Sequence, residues 1–353
     1  MFGFSVFLGS DMSEETKEYI IQMSQNGFNG IFTSMHIPED DSSKYLDRIT
    51  LLGDIAKKNN LNLMVDISSK ALSTLGLDIK NDTDKVRNLG ITGLRMDYGI
   101  PMETIANASK NLTIGLNAST LSSEDVLNLK KYGADFSNME FWHNYYPRKE
   151  TGLSKKSFID KNKWLKELGG KIIAFSPGNK ILRGPLFDSL PTLEKHRFAH
   201  PLAASIELLA ECLVDEVYIG DEQIKIETIN QFRVFQNEKT ILLHSNFISN
   251  DYQQLLTGEH TNRMDVARDV IRSQEARFKE IPTIKQINTI DRAVGSITLD
   301  NHLYGRYMGE LQITKTNLTA DSRVNVMGRV IDEDIPLIDW IKAGQKYQFI
   351  GKD

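Results

Sequence analysis

"FGFSVFLGSDMSEETKEYIIQMSQNGFNGIFTS", residues 2 to 34, holds one strand, one helix and a second strand. Its two ends, 2–9 and 28–34, are short apolar runs rich in aromatic and β-branched side chains. Between them Ser13 stands where a helix cap belongs, Thr16 to Gly27 places apolar side chains at helical spacing, and Gly27 is a terminator. Near-continuous apolar strands joined by capped helices predict a parallel sheet covered by helices, because only a strand buried on both faces is apolar throughout.

The pattern repeats downstream. Further apolar runs lie at 61–68, 91–98, 112–119, 134–141, 171–178 and 214–221, and "SSEDVLNLKKYG" again opens with a serine cap, Ser122 or Ser123, and closes on Gly133. Eight units in the first 235 residues predict a (β/α)8 TIM barrel, a fold that typically takes about 250 residues. A doubly wound open sheet is the competitor, but no Gly-x-Gly-x-x-Gly follows the first run. After residue 235 the texture changes: "TILLHSNFISN", "AVGSITLDN", "GRYMGELQITK", "SRVNVMGRVI" and "KYQFIGKD" predict antiparallel strands, with one helix over 262–279. The expected division is 1–235 for the barrel and 236–353 for a smaller, mostly-β domain.

The chain has 353 residues, 40% hydrophobic and 25% charged, enough apolar surface for a large core. A formal net charge of -5 argues against a general nucleic-acid binder, so an anionic ligand has to be met by local Arg or Lys. The single cysteine, Cys212, lies in "IELLAECLV" and reads as a buried, inert thiol. The N-terminus lacks a basic leader and runs into acid, and no apolar run approaches the roughly 20 residues needed to cross a bilayer. A cytoplasmic protein with no membrane partner is expected.

In such barrels the active site lies at the C-terminal ends of the strands. The candidates there are Ser10 and Asp11 after strand 1, His36 and Glu39 after strand 2, Asp66 at strand 3 and Asp97 at strand 4. Strand 5 offers Asn117, strand 6 Glu140 and His143, and strand 7 Ser176 and Asn179. Asp97 and Glu140 end runs of even number, which predicts that they face each other across the mouth. Two opposed carboxylates suit glycoside hydrolysis, one protonating the leaving oxygen and the other attacking the anomeric carbon or activating water. The structural alternative is an Asp that caps its loop or pairs with Arg95.

"FWHNYYPRKETGLS", residues 141–154, follows strand 6 with more hydrogen-bonding and ring side chains than a plain connection needs. Trp142, Tyr145 and Tyr146 suit stacking on a sugar face, and Asn144, Arg148 and Thr151 suit bonding its substituents. The alternative is rings that pack the loop on the barrel. The long segment 176–201 carries Gly178, Lys180, Arg183 and Gly184, the composition of a phosphate cradle and also of a solvated surface loop. In the predicted 262–279 helix, Arg263 falls in the first turn, where it suits an anion; most of that helix's charges read as a salt-bridged face. No His-x-His or His-Glu-x-x-His appears, so neither metal nor other cofactor is expected. No Lys lies within strand 6, which weakens a Schiff-base aldolase reading, although Lys70 after strand 3 keeps it open.

Taken together, "SMHIPED", "GLRMDYG", "NMEFWHNYYPRKETGLS", "HTNRMDVARDVIRS", "RAVGSITLDN" and "GRYMGELQI" resemble the bacterial 6-phospho-N-acetylmuramidases of peptidoglycan recycling. The resemblance runs nearly end to end. It implies a TIM barrel joined to a cyclophilin-like domain, and hydrolysis of a phosphorylated amino-sugar disaccharide, N-acetylmuramic acid 6-phosphate linked to N-acetylglucosamine. The phosphate and lactyl carboxylate of that substrate are matched to Arg148, Arg183 and Arg263. Rival classes are a hydrolase of another 6-phospho-disaccharide, a sugar-phosphate aldolase or epimerase, and a non-catalytic phosphosugar-binding regulator. Oligomeric state, stereochemical outcome and which carboxylate is the acid stay open.

Overall fold

The computed structural model describes residues 1–35, 44–81, 83–249, 251–276 and 282–351. They form two compact units, Met1–Ile229 and Asn230–Asp353. In the first, β1 (Phe2–Ser5), β2 (Gly30–Ser34), β3 (Asn62–Ile67), β4 (Gly93–Met96), β5 (Thr113–Asn117), β6 (Met139–Trp142), β7 (Lys171–Ser176) and β8 (Glu216–Ile219) close in sequence order. Every neighbouring pair is parallel, and β8 returns to β1. The expected TIM barrel is the observed fold.

Helices alternate with the strands: α1 (Glu14–Gln25), α2 (Tyr45–Lys58), α3 (Ser69–Leu75), α4 (Thr83–Asn88), α5 (Met102–Ala108), α6 (Ser123–Lys131), α7 (Lys155–Glu167) and α8 (Pro201–Glu211). The caps are made by the side chains the spacing pointed to. Ser13 Oγ accepts the Thr16 N–H, and α1 turns Tyr19, Ile20 and Met23 to the core. Ser122, not Ser123, caps α6, in a reciprocal box with Asp125. Cys212 is buried, and burial pushes its thiol up to about 11.

Register sets what fills the barrel. Ser34, Asp66, Arg95, Gly115, Glu140 and Lys171 stand side by side across β2 to β7. That row starts at the last residue of β2 and ends at the first of β7, because closure tilts the strands against the barrel axis. Beside it Phe32, Met64, Trp142, Ile173, Phe175 and Tyr218 pack into a buried layer. The Phe32 and Trp142 rings stack at 5.4 Å, and Tyr218 meets Trp142 at 4.7 Å. Gly3 and Gly30 make room for it: a Cβ on either would lie 2.2 or 2.1 Å from the Tyr218 ring or hydroxyl.

The second unit is a seven-stranded sheet of β9 (Thr240–Phe247), β10 (Glu259–Thr261), β11 (Val270–Arg272), β12 (Ser296–Asp300), β13 (Leu311–Thr314), β14 (Val324–Val330) and β15 (Lys346–Gly351), ordered β10-β15-β9-β14-β12-β13-β11. All its pairs are antiparallel except β15 with β9, which is parallel. The helix expected over 262–279 is absent from the described part of that range. Asn262 instead bridges Ser273, and Ile271 pairs with Ile313 in the sheet. The alternating charges that suggested a helical face pair locally, Arg263 with Asp265 and Arg268 with Asp269. Among the described residues no helix is long and apolar enough to cross a membrane.

Candidate active site

A cavity of about 300 Å³ opens at the C-terminal ends of the barrel strands. Ser34 reaches it from the end of β2, Asp66 from β3, Arg95 and Asp97 from β4, and Asn117 from β5. His143, Asn144 and Tyr145 come from the loop after β6, and Phe32 and Phe175 form apolar wall. Six residues expected from the sequence therefore meet here: Asp66, Asp97, Asn117, His143, Asn144 and Tyr145. Ser34 and Arg95 were missed as lining groups.

Arg95 organises the floor. It is buried; its Nη1 donates to Asp66 Oδ1 at 2.6 Å and its Nη2 to Asn144 Oδ1, while Ser34 Oγ donates to Asp66 Oδ2 at 3.2 Å. Its Nε is buried with no partner among the described residues. The sequence had offered Arg95 as a partner for Asp97, two residues on. Register gives it to Asp66, because a side chain at the same level on the next strand lies about 4.8 Å away, closer than one two residues along its own strand. Asp97 follows the last residue of β4 and is held by its N–H to the Ile67 carbonyl at 2.9 Å.

His143 is locked, with one consistent set of proton positions. Asn162 Nδ2 donates to the Cys212 carbonyl at 2.8 Å, so Asn162 Oδ1 accepts from His143 Nε2–H at 2.7 Å. His143 Nδ1 is then the acceptor facing Ser119 Oγ at 3.4 Å, and Ser119 Oγ accepts from the Tyr146 hydroxyl and the Asn144 N–H. Burial drops the imidazole to about 4, so it is neutral and holds the loop instead of shuttling protons. Tyr145 is edge-on to Phe175 at 5.2 Å, and burial pushes its phenol up to about 12.

The expected pairing of Glu140 with Asp97 is not what the barrel makes. β6 begins at Met139, so Glu140 is its second residue, opposite Lys171 at the start of β7, and residues 136–138 form a 3-10 turn. Glu140 Oε2 accepts the Trp142 indole N–H at 2.8 Å. Burial first, and then Glu216, push its carboxyl up. It lies beyond the Phe32 and Trp142 layer and lines no part of the cavity. Trp142, expected to stack on a ligand, is that layer's centre and 1% exposed.

The other expectations separate cleanly. Asp11 is exposed and accepts from Arg48 Nε at 3.0 Å, fastening the loop after β1 to α2. Ser176 is buried and accepts from Ser205, and Asn179 bonds Thr228 and the Lys225 N–H. Thr151 donates to the Arg148 carbonyl at 2.6 Å, Arg148 itself is exposed, and Arg263 is paired with Asp265. Lys70 is exposed at the start of α3 and lines no part of the cavity. His36 and Glu39 lie outside the described residues. Arg183 belongs to a neighbouring cavity.

Two further residues hold the loop of residues 141–154 in place. Glu194 accepts the Glu150 and Gly152 N–H groups at 3.0 and 2.8 Å and the Arg197 guanidinium at 2.7 Å. Arg197 donates onward to the carbonyls of Tyr146, Asp188 and Ser189. The Arg197 contact, with burial opposing it, brings the Glu194 carboxyl down to about 2. Behind them Asp221, buried, accepts the N–H groups of Gly178, Arg183 and Leu190 at 2.7 to 3.1 Å, shaping the loop after β7.

Comparison with known proteins adds the family. Residues 2–234 match the model described as "6-phospho-N-acetylmuramidase, N-terminal" and residues 240–350 the one described as "6-phospho-N-acetylmuramidase, C-terminal". A crystal structure of a conserved Enterococcus faecalis protein of unknown function is similar at 46% identity and TM-score 0.91, over 100% of this chain and 96% of that one. An uncharacterized B. cereus protein is similar at 26% identity and TM-score 0.75, over 99% of each chain. A search of curated proteins returned no match. With both family models matched along nearly its whole length, the chain belongs to the 6-phospho-N-acetylmuramidase family and is a glycosidase.

Proposed function

We propose that the chain hydrolyses N-acetylmuramic acid 6-phosphate linked to N-acetylglucosamine, in the cytoplasmic recycling of peptidoglycan. The observation that carries the chemistry is the meeting of two carboxylates, Asp66 and Asp97, in one polar cavity at the barrel mouth. Asp66 is held rigid by Arg95 and Ser34 and presents fixed negative charge to the oxocarbenium-like centre that forms as the bond breaks. Asp97, nearer the rim, protonates the departing oxygen. Arg183 and the exposed Arg148 supply positive charge for the substrate's anionic substituents. Arg183's guanidinium carbon lies 3.5 Å from the centre of the Phe7 ring, and the guanidinium makes no hydrogen bond or ion pair among the described residues.

The test is direct. The protein is incubated with the phosphorylated and the unphosphorylated muramyl disaccharide, and monosaccharides are sought by mass spectrometry. Release of both sugars from the phosphorylated compound alone is expected; an intact phosphorylated disaccharide at high enzyme concentration overturns the reading.

A further inference from the structure

Tyr145 lines the carboxylate cavity, and its hydroxyl makes no hydrogen bond among the described residues. Its ring is wedged by three phenylalanines. Phe7, Phe32 and Phe175 meet it nearly at right angles, with centroids 6.5, 6.2 and 5.2 Å away. The backbone on either side is fixed as well: Asn144 donates its N–H to Ser119 Oγ at 3.3 Å and accepts from Thr192 Oγ1 at 2.9 Å, and Tyr146 donates its N–H to the Pro191 carbonyl at 3.0 Å. A ring held in this way is no platform for stacking, so what it offers the cavity is its oxygen. That hydroxyl keeps accessible surface, unlike the sealed Arg95 Nε. Burial pushes the phenol up to about 12, Arg183 and Arg95 pull against that, and Asp66 adds to it, so the oxygen lies within electrostatic reach of the charges on the cavity floor. A phenol so placed keeps its proton and is a donor at any working pH.

Two more donors are oriented beside it. Asn144 Oδ1 is taken by Arg95 and Asn117 Oδ1 by the Ser119 N–H at 3.1 Å, which turns both amide nitrogens away from those bonds; neither nitrogen has a partner among the described residues. Three neutral donors thus share the wall with Asp66 and Asp97, and the guanidinium of Arg95 is already bonded to Asp66. Such a lining repels a phosphate and fits an uncharged group that bears an acceptor oxygen, such as an amide. We propose that the Tyr145 hydroxyl is a further catalytic group, donating a hydrogen bond to the acceptor oxygen on the substituent next to the reacting carbon, the acetamido oxygen of the substrate proposed above. Hydrogen bonds at that position of a sugar strengthen in the oxocarbenium-like transition state, so this one acts on turnover more than on binding. The proposal rests on the glycosidase reading.

The experiment pairs Tyr145→Phe, which removes one oxygen and keeps the ring's packing, with a phosphorylated disaccharide whose acetamido group is replaced by hydrogen. On the parent disaccharide the variant is expected to lower kcat by about tenfold or more and to change KM less than about threefold. On the deoxy compound it is expected to match the wild type within about twofold, because the hydroxyl has lost its acceptor. A packing role would give the same fold-loss on both substrates. Equal losses on the two compounds, a change in KM alone, or wild-type kinetics on the parent overturn the proposal. A second arm needs no variant: corrected for its faster reaction in dilute acid, the deoxy compound is expected to be cleaved by the wild type at least about tenfold more slowly than the parent, and a loss under about twofold overturns the proposal. In each of these cases a wild type that cleaves the parent spares the glycosidase reading. A wild type that cleaves neither compound removes both.

Discussion

Asp97 and Glu140 were alike on paper, each an acid near the end of an apolar run. Only one of them reaches the cavity, because β6 is shifted toward its C-terminal side and Glu140 became its second residue. Replacement by the amide separates them. Asp97→Asn is expected to lower kcat by about 10²-fold or more at an unchanged melting temperature. Glu140→Gln is expected to keep kcat within about fivefold, since its carboxyl meets an indole and not substrate. Steady-state kinetics and melting curves of the two variants decide it. His143 makes a prediction about pH. Its folded value, about 4, lies below the ordinary 6.5, so the unfolded chain takes up the proton first. Stability should fall as pH drops from about 6.5 toward 4, by up to about 3 kcal/mol, and level off below that. His143→Gln should flatten that limb of a melting-temperature profile. The acids and amides of the cavity were visible in the sequence as strand-end residues. Ser34 and Arg95 were not, because whether a residue inside a run faces the barrel axis depends on register, which single runs do not display.

At the scale of the element, the loop after β6 owes its shape to residues far along the chain. The Arg197 side chain is nearly buried and ties Glu194 to two stretches of backbone, 146–148 and 188–189, so Arg197→Ala is expected to cost about 3 kcal/mol. Denaturant melts would measure this, and a change of less than half that size would show that the clamp is ornamental. Glu194 works in the same sense as His143, at lower pH. Its folded value of about 2 lies below the ordinary 4.5, so its contribution is complete above 4.5 and is lost as pH falls toward 2. The loop should thus loosen in two acid steps, the first removed by His143→Gln and the second by Glu194→Gln, read from Tyr146 hydrogen exchange or intrinsic fluorescence. A clamp of this kind leaves no local pattern to read, since Glu194 is more than forty residues from the Glu150 and Gly152 amides it holds. The 262–279 segment failed for a related reason. Strands of three residues are too short to show a period of two, and side chains paired within a turn imitate the charge spacing of a helix.

For the whole molecule, the barrel was legible because eight apolar runs with helical stretches between them repeat one message, so a boundary error in one strand leaves the topology intact. The second unit was legible as β and no further, because strand order depends on pairings distant in sequence. Its parallel member is the telling case: β15 lies between β9 and β10. Deleting 346–351 is expected to strip both of a partner, leaving the Asn230–Asp353 unit open to protease while Met1–Ile229 resists digestion. Mass spectrometry of the fragments checks this, and equal resistance of both units would refute it. In the first unit, the packed rings of Phe32, Trp142, Phe175 and Tyr218 shut the barrel from below. The cavity at the barrel mouth is therefore a cul-de-sac, and traffic through it is last in, first out. Whatever enters deepest waits for its companion to depart, so the phosphorylated product should compete with incoming substrate while the released neutral sugar does not.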